Sequence, residues 1–175
     1  MNHKKTPCLT FFLILSSLIL KAQSDYEISR DPKHPEVKVF KGLINKSIVQ
    51  NDTSFKWYGL NQSLYSPDSA IVHSMEKAAK GKVHFILFGG TWCDDTQFIL
   101  PKFFKLQEMS NVPDSVITFF GVNRDKKSLA GLAEAFDIIN VPTIIVMKDG
   151  KEKGRIIEYG KTGKWDWELA AILNQ

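Results

Sequence analysis

Residues 83–88 read Val-His-Phe-Ile-Leu-Phe, an apolar run interrupted only by His84, and lead directly into Gly89, Gly90 and Thr91. A strand with one face in water alternates polar and apolar residues, whereas a run apolar at nearly every position must be covered on both faces. This stretch therefore demands the centre of a sheet with helices above and below it, ending in a glycine-rich turn. The flanking sequence supplies the rest. Ser66 as cap and Pro67 at the first helical position predict a helix running to about Lys80, stopped by Lys80–Gly81–Lys82. Further helices are predicted over about 94–109, 128–136 and 162–173, and further strands over 116–122, 141–147 and 154–159, the last two joined by a hairpin turn at Asp149–Gly150. The order helix, strand, helix, strand, helix, strand, strand, helix describes an α/β fold with a central mixed sheet and helices on both faces. Residues 25–65 are polar and turn-rich; their β-branched stretch over 37–49 predicts one or two strands, with a loop through Asn51, Asp52 and Thr53.

A chain of 175 residues suits one domain with a well-formed core. Its first residues read as an export signal: His3, Lys4 and Lys5, then an apolar run over about 9–20, then Ala22, Gln23 and Ser24. That run is shorter than the roughly 20 apolar residues that a membrane span needs. The expectation is a signal peptide over 1–24, removed on export to the periplasm or exterior, with no stable membrane insertion afterwards. The formal charge of +4 comes mostly from this segment, which holds three lysines and no acid; the remainder has 20 basic against 19 acidic residues. No basic stripe is left to grip phosphates, which argues against a nucleic-acid partner. Of the two cysteines, Cys8 leaves with the signal, so the mature chain carries Cys93 alone. A lone thiol in an oxidising compartment has no internal partner and either stays inert or reacts with another molecule.

Cys93 falls in Trp92–Cys93–Asp94–Asp95–Thr96, where the buried strand gives way to a helix. Unpaired N–H groups and the helix dipole at such a terminus stabilise a thiolate, the nucleophilic form of the side chain. Asp94 and Asp95 pull two ways, favouring the first helical turn while opposing a second negative charge beside them. A hydrogen bond from the Thr96 hydroxyl to the sulfur would offset that repulsion. Pro101 lies eight residues after the cysteine, and Val141–Pro142–Thr143 opens a later strand that continues into Asp149–Gly150. Taken together these residues resemble the thioredoxin family, over about residues 80–175. The resemblance implies a thioredoxin-like domain at 66–175 preceded by an N-terminal extension at 25–65, and a cis peptide bond at Val141–Pro142. It also implies catalysis at Cys93 with Thr96, and a substrate surface formed by Trp92, Val141, Pro142 and Thr143.

Two positions depart from the family pattern. Thr96 stands where the second cysteine would be, and Leu87 where many members carry a buried acid. Since those two groups act together in resolving a mixed disulfide, the expected activity is monothiol exchange through Cys93 with protein or small-molecule thiols and disulfides, released by an external thiol. The rival reading is a peptide-binding or chaperone-like module that uses the groove beside Pro142 and in which Cys93 is incidental. No cofactor is expected, and no cluster has the spacing of a metal site. His84 reads as a hydrogen-bonded core residue and His73 as a solvated one. Gly154 through Gly160–Lys161–Thr162 has one residue too many for a phosphate loop, and its interior reads as strand.

Overall fold

A computed structural model of the chain describes residues 25–175; the signal-peptide reading of residues 1–24 falls outside the described residues. Six strands form one sheet: β1 (Tyr26–Arg30), β2 (Lys38–Ile44), β3 (Val83–Gly89), β4 (Ile117–Gly121), β5 (Thr143–Lys148) and β6 (Lys151–Ile157). Their spatial order is β1-β2-β4-β3-β5-β6, with β3 and β4 parallel and every other pair antiparallel. The apolar run at 83–88 is thus a central strand, as its composition demands. Alternate residues feed two cores. Phe85, Leu87, Phe119, Ile144 and Val146 face the larger one, while Phe88, Val122, Val141 and Ile145 face the smaller.

The larger core is roofed by α1 (Lys46–Asn51), α2 (Trp57–Ser63), α3 (Ser69–Lys80), α4 (Asp94–Met109) and α6 (Trp165–Leu173). The smaller lies under α5 (Leu132–Ala135), which contributes Ala133. Side chains such as Phe85, Phe103 and Ile99 are fully buried, each worth about 1.5–3 kcal/mol relative to exposure.

Several boundaries differ from the sequence expectation for local reasons. The β-branched stretch over 37–49 is strand only as far as Ile44, because Asn45 caps α1 by accepting the N–H of Ile48 at 3.1 Å. α3 starts two residues after Pro67, capped by Asp68 accepting from the N–H of Ala70 at 2.8 Å, and not by Ser66. The helix expected over 128–136 is a short 3₁₀ turn followed by α5, since Ala130 (φ 54°) and Gly131 (φ 66°) take left-handed conformations that break it. β6 begins at Lys151, directly after the Asp149–Gly150 turn, and ends at Ile157.

Residues 25–65 are built into this fold. β2 pairs with β4, and Phe40, Ile44, Val49, Phe55 and Tyr58 belong to the larger core. α2 packs along α4, and there it repairs a defect. Pro101 inside α4 has no N–H to give the carbonyl of Gln97, one turn earlier. The side-chain amide of Asn61 in α2 donates to that carbonyl instead, at 3.1 Å.

Candidate active site

The candidate site begins where β3 ends. Gly90 lies directly under the Trp92 indole: a Cβ there would sit 2.6 Å from ring atoms, so the close approach requires glycine. The indole N–H donates to the carbonyl of Val122 at 2.9 Å, which ties the ring to the segment after β4. Cys93 is the N-cap of α4; its carbonyl accepts the N–H of Gln97 at 2.9 Å, and its side chain is half-buried. Asp94 and Asp95 occupy the first turn, where negative charge favours the helix.

Facing the sulfur is the segment 141–143. The Val141–Pro142 bond is cis. The Cys93 thiol donates to the Val141 carbonyl at 3.2 Å, an interaction that needs the proton on sulfur and is broken when the thiolate forms. The Pro142 carbonyl accepts the N–H of Glu158 at 2.7 Å, which anchors this segment to the end of β6. Thr143 is buried, its hydroxyl donating to the Asn140 carbonyl at 2.7 Å and turned to its own loop.

Thr96 departs from the sequence expectation. It is fully buried, and its hydroxyl oxygen accepts the N–H of Gly90 at 3.2 Å; the hydrogen bond of the cysteine sulfur goes to Val141 and not to Thr96. Leu87, at the position of the family's acid, is buried in the larger core between β4 and β5.

Several residues that pattern reading did not single out complete the site. Tyr159 hydrogen-bonds Asp95 and stacks obliquely on Phe98 at 5.6 Å. Burial, then the hydrogen bond to Asp95 and the nearby negative charges push its hydroxyl up to about 12, so it stays a neutral donor. Arg124 holds its guanidinium carbon 4.9 Å from the centre of the Trp92 ring. Its Nε donates to Asp31 at 2.5 Å, and Asp31 is fully buried. The loop between β1 and β2 brings His34, Glu36 and Val37 to the same place, where with Trp92, Cys93 and Asp94 they line a cleft of about 690 Å³. The Thr91 hydroxyl donates to the Lys38 carbonyl at 2.7 Å, fastening the start of β2 to the turn before Trp92.

His84 and His73 are where background residues belong. His84 Nε2 pairs with the Thr118 hydroxyl on the neighbouring strand at 2.8 Å, and His73 meets Glu76 on the exposed face of α3. No helix among the described residues is long and apolar enough to cross a membrane.

The sequence model of the Thioredoxin family matches residues 71–167. Among curated proteins, the chain is 29% identical over 85 residues to thioredoxin-like protein R548 of Acanthamoeba polyphaga mimivirus, covering 49% of this chain and 58% of that one. It is 26% identical over 95 residues to the mitochondrial thioredoxin O1 of Arabidopsis thaliana, covering 54% of this chain and 47% of that protein. The chain thus spans about half the length of these two relatives. Against the thioredoxin of Mycolicibacterium smegmatis it is 28% identical over 116 residues, covering 63% of this chain and 95% of that one. A crystal structure of a protein of unknown function from Pseudomonas aeruginosa superposes with a TM-score of 0.53 at 15% identity, covering 74% of this chain and 91% of the other, which speaks to the fold alone.

Proposed function

The chain belongs to the thioredoxin family, whose chemistry is thiol–disulfide exchange, and from that premise we propose that it is an exported monothiol exchanger acting through Cys93. The observation that carries the proposal is the setting of this sulfur: half-buried at the N-cap of α4, on the rim of an open cleft, with a buried threonine where a second thiol would stand. The Cys93 thiolate attacks one sulfur of a disulfide; the S–S bond breaks, and the other sulfur leaves as a thiolate that takes a proton from solvent. The mixed disulfide left on Cys93 has no neighbouring thiol to resolve it. An external thiolate attacks the substrate-derived sulfur, forms a new disulfide with it and returns Cys93 to the thiolate form. Electrons balance without a further oxidant or reductant. Trp92, Thr96, Val141, Pro142 and Thr143 shape the site in this reading, with Thr96 setting the Gly90 turn beneath Trp92 and the Val141 carbonyl holding the resting thiol.

The basic, apolar and small-residue layout of residues 1–24 supports export to the periplasm or exterior. The mature form then begins near residue 23 or 25 and carries one thiol. Intact mass of that form should show this truncation and a single alkylation; two alkylations or a retained leader would contradict it.

The monothiol step is tested by Thr96→Cys. Wild type should reduce a protein disulfide poorly in a dithiol-coupled assay. The variant restores a two-residue spacing between thiols on the first helical turn, where the sulfurs bridge, and should gain both an internal disulfide and reductase activity. Equal activity of the two proteins would refute the monothiol assignment.

A further inference from the structure

The loop that joins β1 to β2 is held in a way an ordinary surface loop is not. Asp31, at its start, is fully buried although it is charged. Burial on its own would raise its carboxyl. The bonds from Arg124 at 2.5 Å and from the N–H groups of Lys33 at 2.8 Å and His34 at 3.0 Å outweigh that, and keep it below the usual carboxylate range. The Asp31 N–H closes the loop by donating to Val37 at 2.9 Å. One carboxylate therefore sets the shape of the loop and, through Arg124, its position against Trp92.

We propose that residues 31–37 are the second wall of the Cys93 cleft, that Asp31 is the positioning residue holding the wall in place, and that the wall selects disulfides whose sulfur-bearing arm is not anionic. The proposal rests on the reading of Cys93 as the reacting group. Its geometry is the shared cleft, with His34, Glu36 and Val37 opposite Cys93 and Asp94. Its charge argument is one of compensation. Arg124, which also lines the cleft, is engaged by Asp31, so it does not offset Glu36 on the wall or Asp94 and Asp95 at the helix start. Glu36 lies 3.6 Å from His34 Nδ1 in a largely exposed pair that offsets its charge only while the imidazole is protonated. A substrate arm lying between wall and helix passes carboxylates on both sides.

The test uses the mature chain and three small symmetrical disulfides: cystamine (cationic), bis(2-hydroxyethyl) disulfide (neutral) and 3,3′-dithiodipropionate (anionic). Rates of mixed-disulfide formation are each divided by the rate with free 2-mercaptoethanol, to remove intrinsic reactivity. At low ionic strength the corrected cation-to-anion ratio should be about tenfold, collapsing toward about twofold in 1 M salt as charges are screened. Glu36→Lys should cut that ratio by about threefold or more. In an Asp31→Asn or Arg124→Gln background, where the wall is released, Glu36→Lys should have less than half that effect. Arg124→Gln is included because Asp31→Asn removes the fully buried charge that both Arg124 and the loop N–H groups of Lys33 and His34 bind, and is the more disruptive change. A ratio near one in wild type, or a Glu36→Lys effect that is absent or equally large in the released backgrounds, overturns the proposal while leaving Cys93 reactive. Failure of all three disulfides to modify Cys93 overturns the underlying reading as well.

Discussion

Thr96 shows how far a single position can be read from sequence. Its place three residues after Cys93 marks it as the substitute for a second thiol, and that much needs only the motif. What the side chain does instead, accepting the N–H of Gly90 from full burial, depends on a turn that folds back beneath Trp92. Thr96→Val keeps the volume and removes the acceptor, leaving a buried N–H unsatisfied. Urea denaturation should show a loss of about 1–3 kcal/mol, whereas an unchanged midpoint would mean that the bond contributes nothing. Cys93, Trp92 and Pro142 were legible because each belongs to a local pattern. Asp31 and Arg124 were not, because they lie 93 positions apart and no periodicity links a buried carboxylate to a guanidinium in another loop.

Among the elements, β3, α4 and the β5–β6 hairpin were legible from apolar runs, first-turn acids and the Asp149–Gly150 turn. α1 and α2 were not. α1 is six residues in a β-branched stretch, and α2 contains Gly59 and has no side-chain cap, so both rest on packing that the sequence does not display. The pairing of α2 with α4 makes a specific prediction. Asn61→Ala strips the substitute donor from the Gln97 carbonyl that Pro101 leaves unpaired, and should cost about 1 kcal/mol of stability. A loss of that size in the proline-containing chain, and a smaller one when Pro101→Ala restores the helical N–H, would identify the cause; equal losses would exclude it. The Lys38–Asp52 pair joins β2 to the end of α1 at 2.7 Å. The hydrogen bonds from Lys38 and then Ser54 bring the Asp52 carboxyl down from 3.8 to about 2. With the folded value depressed, the unfolded chain binds the proton more readily as the solution is acidified. The contribution of the pair is therefore full above about pH 4 and lost as pH falls through about 2. Asp52→Asn should lower stability by about 1–2 kcal/mol at neutral pH and flatten the acid limb of the stability curve across that window. A parallel, undiminished limb in the variant would show that Asp52 is not responsible.

For the whole molecule, the mixed sheet with helices on both faces followed from the sequence, but the role of residues 25–65 did not. Their sequence is read as an extension with one or two strands, and they do supply two strands of the sheet; what composition did not show is that they also fill part of the larger core and line the cleft. Phe40, Ile44 and Tyr58 are buried in a core shared with Phe85, Phe104 and Phe119 from distant parts of the chain, which local composition does not display. A chain beginning at residue 66 would expose β4 as an unpaired edge and uncover this core. It should lack the single cooperative melt expected of residues 25–175, and an equally sharp transition would contradict the structural account. The central claim, that this fold presents one reactive thiol for exchange, is tested most directly by mass spectrometry of the folded chain of residues 25–175 incubated with bis(2-hydroxyethyl) disulfide. The account predicts a single adduct of one mercaptoethanol unit on Cys93, absent in Cys93→Ser and removed by added thiol. A folded chain that stays unmodified, yet is modified once unfolded in urea, would contradict it and favour the binding-module reading.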